Sequence, residues 1–134
     1  ADGEGASRLI TCTVRSARSE EGAERLAKAV VGSSLVKTAL YGADANWGRV
    51  LCAMGYSKAP FRPEYVDIKF SSALGEILVC EQGWAWILTR IWPTYPCPGW
   101  VVVDVSLNEG THEATCWGCD LTYEYVKING DYRS

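Results

Sequence analysis

The sequence predicts an α+β fold, a layered sandwich in which a mixed set of helices and a sheet pack on one core. Strand-like alternation occurs in both halves of the chain, and an amphipathic helical segment follows the first strand. Helices and strands do not alternate strictly, which argues against a doubly wound sheet. The 134 residues suit one domain with a real core. We expect one long helix, one or two short ones and four to six strands.

The first half of the chain contains the predicted helices. Residues 8–15 alternate between two faces and predict a strand. An amphipathic helix is expected over 20–31, because its apolar residues share one helical face. Ser19 is its expected N-cap, and Gly32 fits its C-terminus. A second helical or mixed segment is predicted over 34–41.

The second half is predicted to be mostly sheet. Residues 66–70 alternate clearly, and 77–80 are expected to pair with them across a turn. The β-branched segment 101–105 predicts a strong strand. Residues 113–118 are expected to pair with that strand through the intervening Asn-Glu-Gly turn. A short helix is expected over 121–128.

Composition and charge narrow the class of protein. The chain is 48% hydrophobic and 22% charged, with a formal net charge of -3. This balance argues against nucleic-acid or anionic-membrane partners, which require a basic face. No apolar segment reaches the roughly 20 residues of a membrane span, and the first residues do not have the pattern of a signal peptide. The chain opens without Met in a turn-like Asp-Gly-Glu-Gly run, which predicts a fragment or a processed product.

Two of the six cysteines lie in the motif Cys116-Trp117-Gly118-Cys119, which can be interpreted as a functional site or as two structural thiols. The Cys-x-x-Cys spacing is typical of a redox pair or of half a zinc site. A zinc site needs two further ligands, however, and His112 is the only histidine. Two buried thiols in a reducing compartment are the plainer interpretation, with His112 in a solvated loop. The sequence therefore predicts no metal.

Three segments carry a resemblance to a known family. They are residues 2–10 (DGEGASRLI), 35–50 (LVKTALYGADANWGRV) and 117–134 (WGCDLTYEYVKINGDYRS). In this order they resemble the ornithine acetyltransferase (glutamate N-acetyltransferase) family of arginine biosynthesis. The resemblance covers most of 1–70 and 101–134. It implies that residues 1–134 are the C-terminal portion of the family's β chain.

The resemblance implies an acyltransferase that is made as a precursor and cleaves itself in two. A Thr at the new N-terminus takes acetyl from N-acetylornithine and passes it to glutamate, with its own amine as general base. That Thr lies upstream of Ala1 by this alignment, so the chain alone is expected to be inactive. No cofactor is implied, although some members accept acetyl-CoA. The α chain and the rest of the β chain are the expected partners, in a heterotetramer in the cytoplasm or, in a eukaryote, the mitochondrial matrix.

The substrate-binding residues implied by the resemblance are Glu4, Asn129 and Ser134. Glu4 matches the family glutamate that contacts the amino-acid substrate, and a carboxylate suits the ammonium of ornithine. Asn129 can donate to a carboxylate and accept from an amine. Ser134 keeps the hydroxyl of the usual C-terminal Thr. From spacing alone, Glu4 would be a solvated turn residue and the other two part of a flexible tail.

Residues 44–49 form the densest part of the resemblance but receive no catalytic role from it. Asp44 and Asn46 are expected to cap or close a polar turn through side chain to backbone bonds. Trp47 and Arg49 are expected to fix that turn and a subunit contact.

Residues 83–100 depart from the family pattern, because they hold four tryptophans and three prolines where a glycine-rich run and an acidic helix are expected. Trp has a single codon, so the bases at these positions are known. When the reading frame starts at the third base of the Gly83 codon, the residues expected from the family appear at these positions. A frame-shifted segment between two compensating indels explains this, and a genuine Trp-rich insertion is the alternative. A different class of function is also open: a degenerate, non-catalytic copy that serves only as a structural or interaction piece.

Overall fold

The computed structural model describes residues 9–42, 44–73, 75–85 and 100–119. In this part of the chain, one mixed sheet of six strands carries three helices. The strand order is β4-β3-β2-β5-β1-β6, with β1 Leu9–Ala17, β2 Asp67–Ser72, β3 Gly75–Glu81, β4 Trp84–Ala85, β5 Trp100–Ser106 and β6 His112–Cys119. Among these six described strands, only β1 and β5 run parallel to each other. The predicted α+β class is confirmed.

The first helix follows the sequence prediction closely. Helix α1 spans Glu20–Gly32. The Ser19 hydroxyl accepts a hydrogen bond from the Gly22 amide at 3.0 Å, which satisfies one of the unpaired first-turn amides. The predicted N-cap is therefore confirmed. The buried face of α1 packs on β1 and β6 and is formed by Ala23, Leu26, Ala27, Val30 and Val31.

Two shorter helices complete the helical layer. Helix α2 spans Ser34–Tyr41, as predicted, and helix α3 spans Trp47–Tyr56. The sequence pattern of residues 50–56 is too short to distinguish a helix from a strand. A turn is expected over residues 44–49, and this prediction is wrong for the second half of that range. Asn46 is the N-cap of α3, and the helix begins at the next residue, so residues 47–49 are helical.

The strands of the second half confirm one predicted hairpin and correct another pairing. Strands β2 and β3 pair antiparallel, as expected. In contrast, β6 pairs with β1 and not with β5. Strand β1 lies between β5 and β6, so the expected hairpin of 101–105 with 113–118 is wrong. The short helix expected over 121–128 lies outside the described residues, as does most of 83–100.

The segment between β5 and β6 crosses the end of β1 and forms hydrogen bonds with it, which explains why β6 pairs with β1 and not with β5. The Leu107 amide donates to the Arg15 carbonyl at 3.0 Å, and the Glu109 and Gly110 amides donate to the Ser16 carbonyl at 2.8 and 2.9 Å. A side chain on Gly110 would overlap the Ala17 carbonyl oxygen, so only glycine allows this approach. What resembles a hairpin turn in sequence is a crossover packed against a third strand.

The core lies between the sheet and the helices. On the three central strands, alternate residues are buried toward the helices: Ile10, Cys12 and Val14 on β1, Ile68 and Phe70 on β2, and Val101, Val103 and Val105 on β5. Their neighbours point to the opposite face, as the period of a strand requires. That opposite face, the open face, is not covered by any element of the described residues.

Candidate functional site

The start of β1 and the end of β6 lie at the same end of the sheet. The chain segments that precede β1 and follow β6 contain the predicted substrate-binding residues. Strand β1 begins there at Leu9, which is paired with Trp100 at the start of β5 and with Cys119 at the end of β6. We call this the Leu9 end. Because β1 and β6 are antiparallel neighbours, the chain enters β1 and leaves β6 at the same place.

Glu4, Asn129 and Ser134 lie outside the described residues, so the structure does not place them. Their distance along the chain is nevertheless informative. Glu4 precedes Leu9 by five residues, a reach of at most about 18 Å, and Asn129 follows Cys119 by ten residues, a reach of at most about 36 Å. The two chain segments that contain them therefore join the sheet at adjacent points, Leu9 and Cys119.

The two ends of the open face differ in chemistry. At the Leu9 end, the side chains are apolar and partly exposed, with Leu9 at 44%, Trp100 at 42% and Trp117 at 65%. At the other end, the Arg15 guanidinium donates to Asp104 at 2.8 Å, and this hydrogen bond raises the pKa of Arg15. The charges thus collect away from the Leu9 end.

The turn before α3 is closed by its own side chains. The Asn46 amide donates to an Asp44 carboxylate oxygen at 3.2 Å, and its Oδ1 accepts from the Arg49 amide at 3.1 Å. This confirms the capping role expected for Asn46, whereas the Asp44 carboxylate accepts from the Asn46 side chain and not from a backbone group of the described residues. The Arg49 guanidinium donates to the Leu35 carbonyl at 2.9 Å, which ties α3 to α2. Trp47 packs against the core, while the subunit contact expected of this segment stays a prediction.

The geometry of β6 argues against a Cys116–Cys119 redox pair or a shared metal ligand set. Both residues lie in one extended strand, where a separation of three residues spans about 10 Å and the side chains point to opposite faces. A disulfide needs Cα atoms within about 7 Å. His112 starts the same strand and is exposed. Across 9–42, 44–73, 75–85 and 100–119, no group of three His, Cys, Asp or Glu residues can hold a metal ion.

Two arrangements in the structure depend on contacts between residues far apart in sequence and were not predicted. Glu109 is nearly buried and accepts from the Arg18 guanidinium at 2.9 Å and from the Arg62 amide at 2.8 Å. It holds the crossover to the start of α1 and to the loop before β2. The second arrangement pairs Cys116 with Cys12 on β1. No local pattern signals either, because the partners lie far apart in sequence.

No helix in the described ranges is long and apolar enough to cross a membrane. The class that emerges is an α+β protein with helices on one face of a mixed sheet, whose open face and Leu9 end bear exposed apolar side chains.

Comparison with known proteins identifies the family. The model of the ArgJ family matches residues 1–134, and the chain belongs to this family. It is 48% identical to arginine biosynthesis bifunctional protein ArgJ 1 of Clostridium acetobutylicum and 48% identical to the ArgJ protein of Caldanaerobacter subterraneus, over 99% of this chain and 33% of each relative. The chain thus spans about a third of the length of these relatives.

A solved structure supports the same assignment. The crystal structure of the arginine biosynthesis bifunctional protein ArgJ from Bacillus halodurans matches with a TM-score of 0.79 and 40% identity, over 98% of this chain and 61% of that one. The fold expected from the family resemblance is therefore confirmed.

Proposed function

We propose that this chain is part of a glutamate N-acetyltransferase that moves acetyl from N-acetylornithine to glutamate in arginine biosynthesis. The observation that carries the proposal is the match of the whole chain to the ArgJ family, whose relatives are named as bifunctional proteins of arginine biosynthesis. The expected partners are the α chain and the rest of the β chain, in a heterotetramer.

The proposed reaction is a double displacement through an acetyl-Thr ester. The hydroxyl of a Thr upstream of Ala1 attacks the acetyl carbonyl of N-acetylornithine, the amide C–N bond breaks, and ornithine leaves with the proton. The amine of glutamate then attacks the ester and releases the Thr hydroxyl. Acyl transfer of this kind needs no metal or organic cofactor, although the thioester acetyl-CoA could also donate acetyl to the same hydroxyl.

In this proposal the chain supplies the amino-acid pocket and not the nucleophile. Glu4 pairs with the substrate ammonium, while Asn129 and Ser134 bond its polar groups. The Leu9 end supports this assignment, because Leu9 and Cys119 are paired there. The segment with Glu4 precedes Leu9 in the chain, and the segment with Asn129 follows Cys119. The fold would thus bring two distant parts of the sequence to one pocket.

The test is acetyl transfer from N-acetylornithine to glutamate by the complete product of the gene that encodes this chain. Glu4→Ala should lower kcat/KM by about 10- to 100-fold, because a charge-assisted hydrogen bond contributes about 1.5–3 kcal/mol. Glu64→Ala, which removes an exposed carboxylate on the turn before β2, is the matched control and should leave transfer unchanged.

The alternative function is a structural or interaction piece without catalysis. A folded gene product that transfers no acetyl would favour this alternative, which the departure of residues 83–100 from the family pattern also supports. Equal losses in Glu4→Ala and Glu64→Ala would contradict the pocket assignment but leave the family function standing.

A further inference from the structure

Cys12 on β1 and Cys116 on β6 lie directly opposite each other in the antiparallel register. The next pair along, Thr13 and Thr115, confirms the alignment at the side-chain level, because their hydroxyl oxygens are 3.0 Å apart. Opposed residues of an antiparallel pair have Cα atoms about 4.5 or 5.5 Å apart, depending on the hydrogen-bonding position. Both values fall in the range of about 4.4–6.8 Å that a disulfide spans.

Both thiols also point to the same side of the sheet. Cys12 is completely buried in the core beneath the helices. Cys116 packs against that core, and its thiol lies 3.9 Å from the Glu24 carbonyl of α1. Cys119, three residues further along the strand, points to the opposite face and has Leu9 as its partner on β1. Of these two cysteines on β1 and β6, Cys12 is therefore the one that Cys116 can reach.

We propose that Cys12 and Cys116 form a reversible cross-strand disulfide, a redox modification site that joins the edge strand β6 to β1. This proposal does not depend on the acetyltransferase function. It depends only on the register of two neighbouring strands, which also excludes the Cys-x-x-Cys pair suggested by the sequence.

Peroxide is the class of oxidant that the reaction requires. Cys116 is partly exposed and is attacked first: hydrogen peroxide oxidises its sulfur to a sulfenic acid and is reduced to one water. The Cys12 sulfur then displaces the sulfenic oxygen, which leaves as a second water with the Cys12 proton. The two thiols lose two protons and two electrons in total, and a dithiol reductant reverses the step by exchange.

The surroundings of the two thiols predict slow formation. Burial raises the pKa of Cys12 and also the pKa of Cys116, with the nearby Glu24 adding to the latter. Because the thiolate is the reactive form, the disulfide should form slowly at neutral pH and faster under mildly alkaline conditions. A slowly formed link suits a response to sustained oxidative stress better than rapid signalling.

The link should stabilise the sheet edge. Among the described strands, β6 has β1 as its only neighbour, so its attachment depends on one ladder and on contacts with α1. A disulfide between positions 12 and 116 closes a loop of roughly 100 residues, a length for which the loss of unfolded-state entropy is large. The same link would hold together the two strands that meet at the Leu9 end.

The experiment treats the reduced, complete gene product with millimolar hydrogen peroxide, blocks free thiols by alkylation and maps disulfides by mass spectrometry. Digestion with trypsin and chymotrypsin separates the candidate cysteines, because cleavage after Trp117 divides Cys116 from Cys119. We expect a linked pair of peptides that contain Cys12 and Cys116. The link should persist in Cys119→Ala and disappear in Cys116→Ala, which changes a partly exposed residue and not one of the fully buried core residues.

A second measurement tests the stabilising role. The oxidised protein should unfold at a temperature about 10 °C above that of the reduced protein, and Cys116→Ala should show no such difference. A Cys116–Cys119 link, or no Cys12–Cys116 link after prolonged alkaline peroxide treatment, would overturn the proposal. An equal shift in Cys116→Ala would assign the stabilisation to another pair of cysteines and overturn the role given to this link.

Discussion

The two faces of the sheet are built by different chemistry, although they share the same strands. Toward the helices, alternate residues of β1, β2 and β5 are fully buried and apolar. On the open face, the sheet carries ion pairs at one end and exposed apolar side chains, among them Trp100 and Trp117, at the other. The helix-facing side therefore provides most of the stability, while the open face remains available for contacts.

The difference in stability between the two faces follows from how much each kind of interaction contributes to the free energy of folding in water. Burial of a large apolar side chain contributes about 1.5–3 kcal/mol. An exposed ion pair contributes at most about 1 kcal/mol, because water and salt screen it. Substitutions of neighbouring residues on one strand, which point to opposite faces, can test this comparison directly.

The largest expected effect comes from Phe70 on β2, which is only 1% exposed. Phe70→Ala should lower the free energy of unfolding by about 3–5 kcal/mol, since it removes buried contacts and leaves a cavity. Lys69→Ala, one residue earlier and on the open face, removes an exposed ion pair with Glu76 and should cost no more than about 1 kcal/mol. Denaturant unfolding of the complete gene product measures both. A large loss in Lys69→Ala would mean that the open face contributes as much as the core.

A smaller effect is expected at Gly118 on β6, where α1 approaches the strand closely. A β-carbon there would lie 3.2 Å from the Val31 carbonyl oxygen and 3.3 Å from the Val31 Cβ. Gly118→Ala should therefore destabilise by about 1–2 kcal/mol, even though alanine is otherwise favoured over glycine in a strand. Thermal unfolding beside Glu113→Ala, an exposed position on the same strand, provides the test. A stabilised Gly118→Ala protein would show that α1 adjusts freely.

Sequence patterns predicted the helix-facing side well, because that side is encoded locally. The period of α1 with its Ser19 cap, and the alternation of β2 and β5, depend on residues within a few positions of one another. The pairing of β6 was predicted wrongly because a short turn favours a hairpin. In the structure, β1 pairs with both β5 and β6 and lies between them, and the crossover bonds to Ser16, more than 90 residues earlier.

The candidate site was predictable only through family resemblance. Spacing alone gives Glu4, Asn129 and Ser134 no distinct role, and the described residues do not test them. The Cys-x-x-Cys motif shows the opposite error, since a familiar spacing suggested a function that an extended strand does not allow. The same spacing has different chemistry in a turn and in a strand, and the sequence motif by itself does not distinguish them.

The smallest expected effect concerns the ion pairs of the open face. Arg15 contacts Asp104 at 2.8 Å and Glu113 at 3.5 Å, and the side chains of Arg15 and Glu113 are about half exposed. Asp104→Asn should therefore destabilise by less than about 1 kcal/mol in dilute buffer. This difference should shrink at 1 M salt, where the screening length falls to about 3 Å. Urea unfolding of both proteins at low and high salt measures it.

A salt-independent loss of several kcal/mol in Asp104→Asn would break the comparison between the two faces. Such a loss requires that the Arg15–Asp104 pair be shielded from water, because breaking a buried pair leaves an uncompensated charge. The open face would then be an interior surface in the complete protein, covered by parts of the polypeptide beyond this chain. The size and salt dependence of one conservative substitution thus distinguish a solvent-facing sheet from one side of a second core.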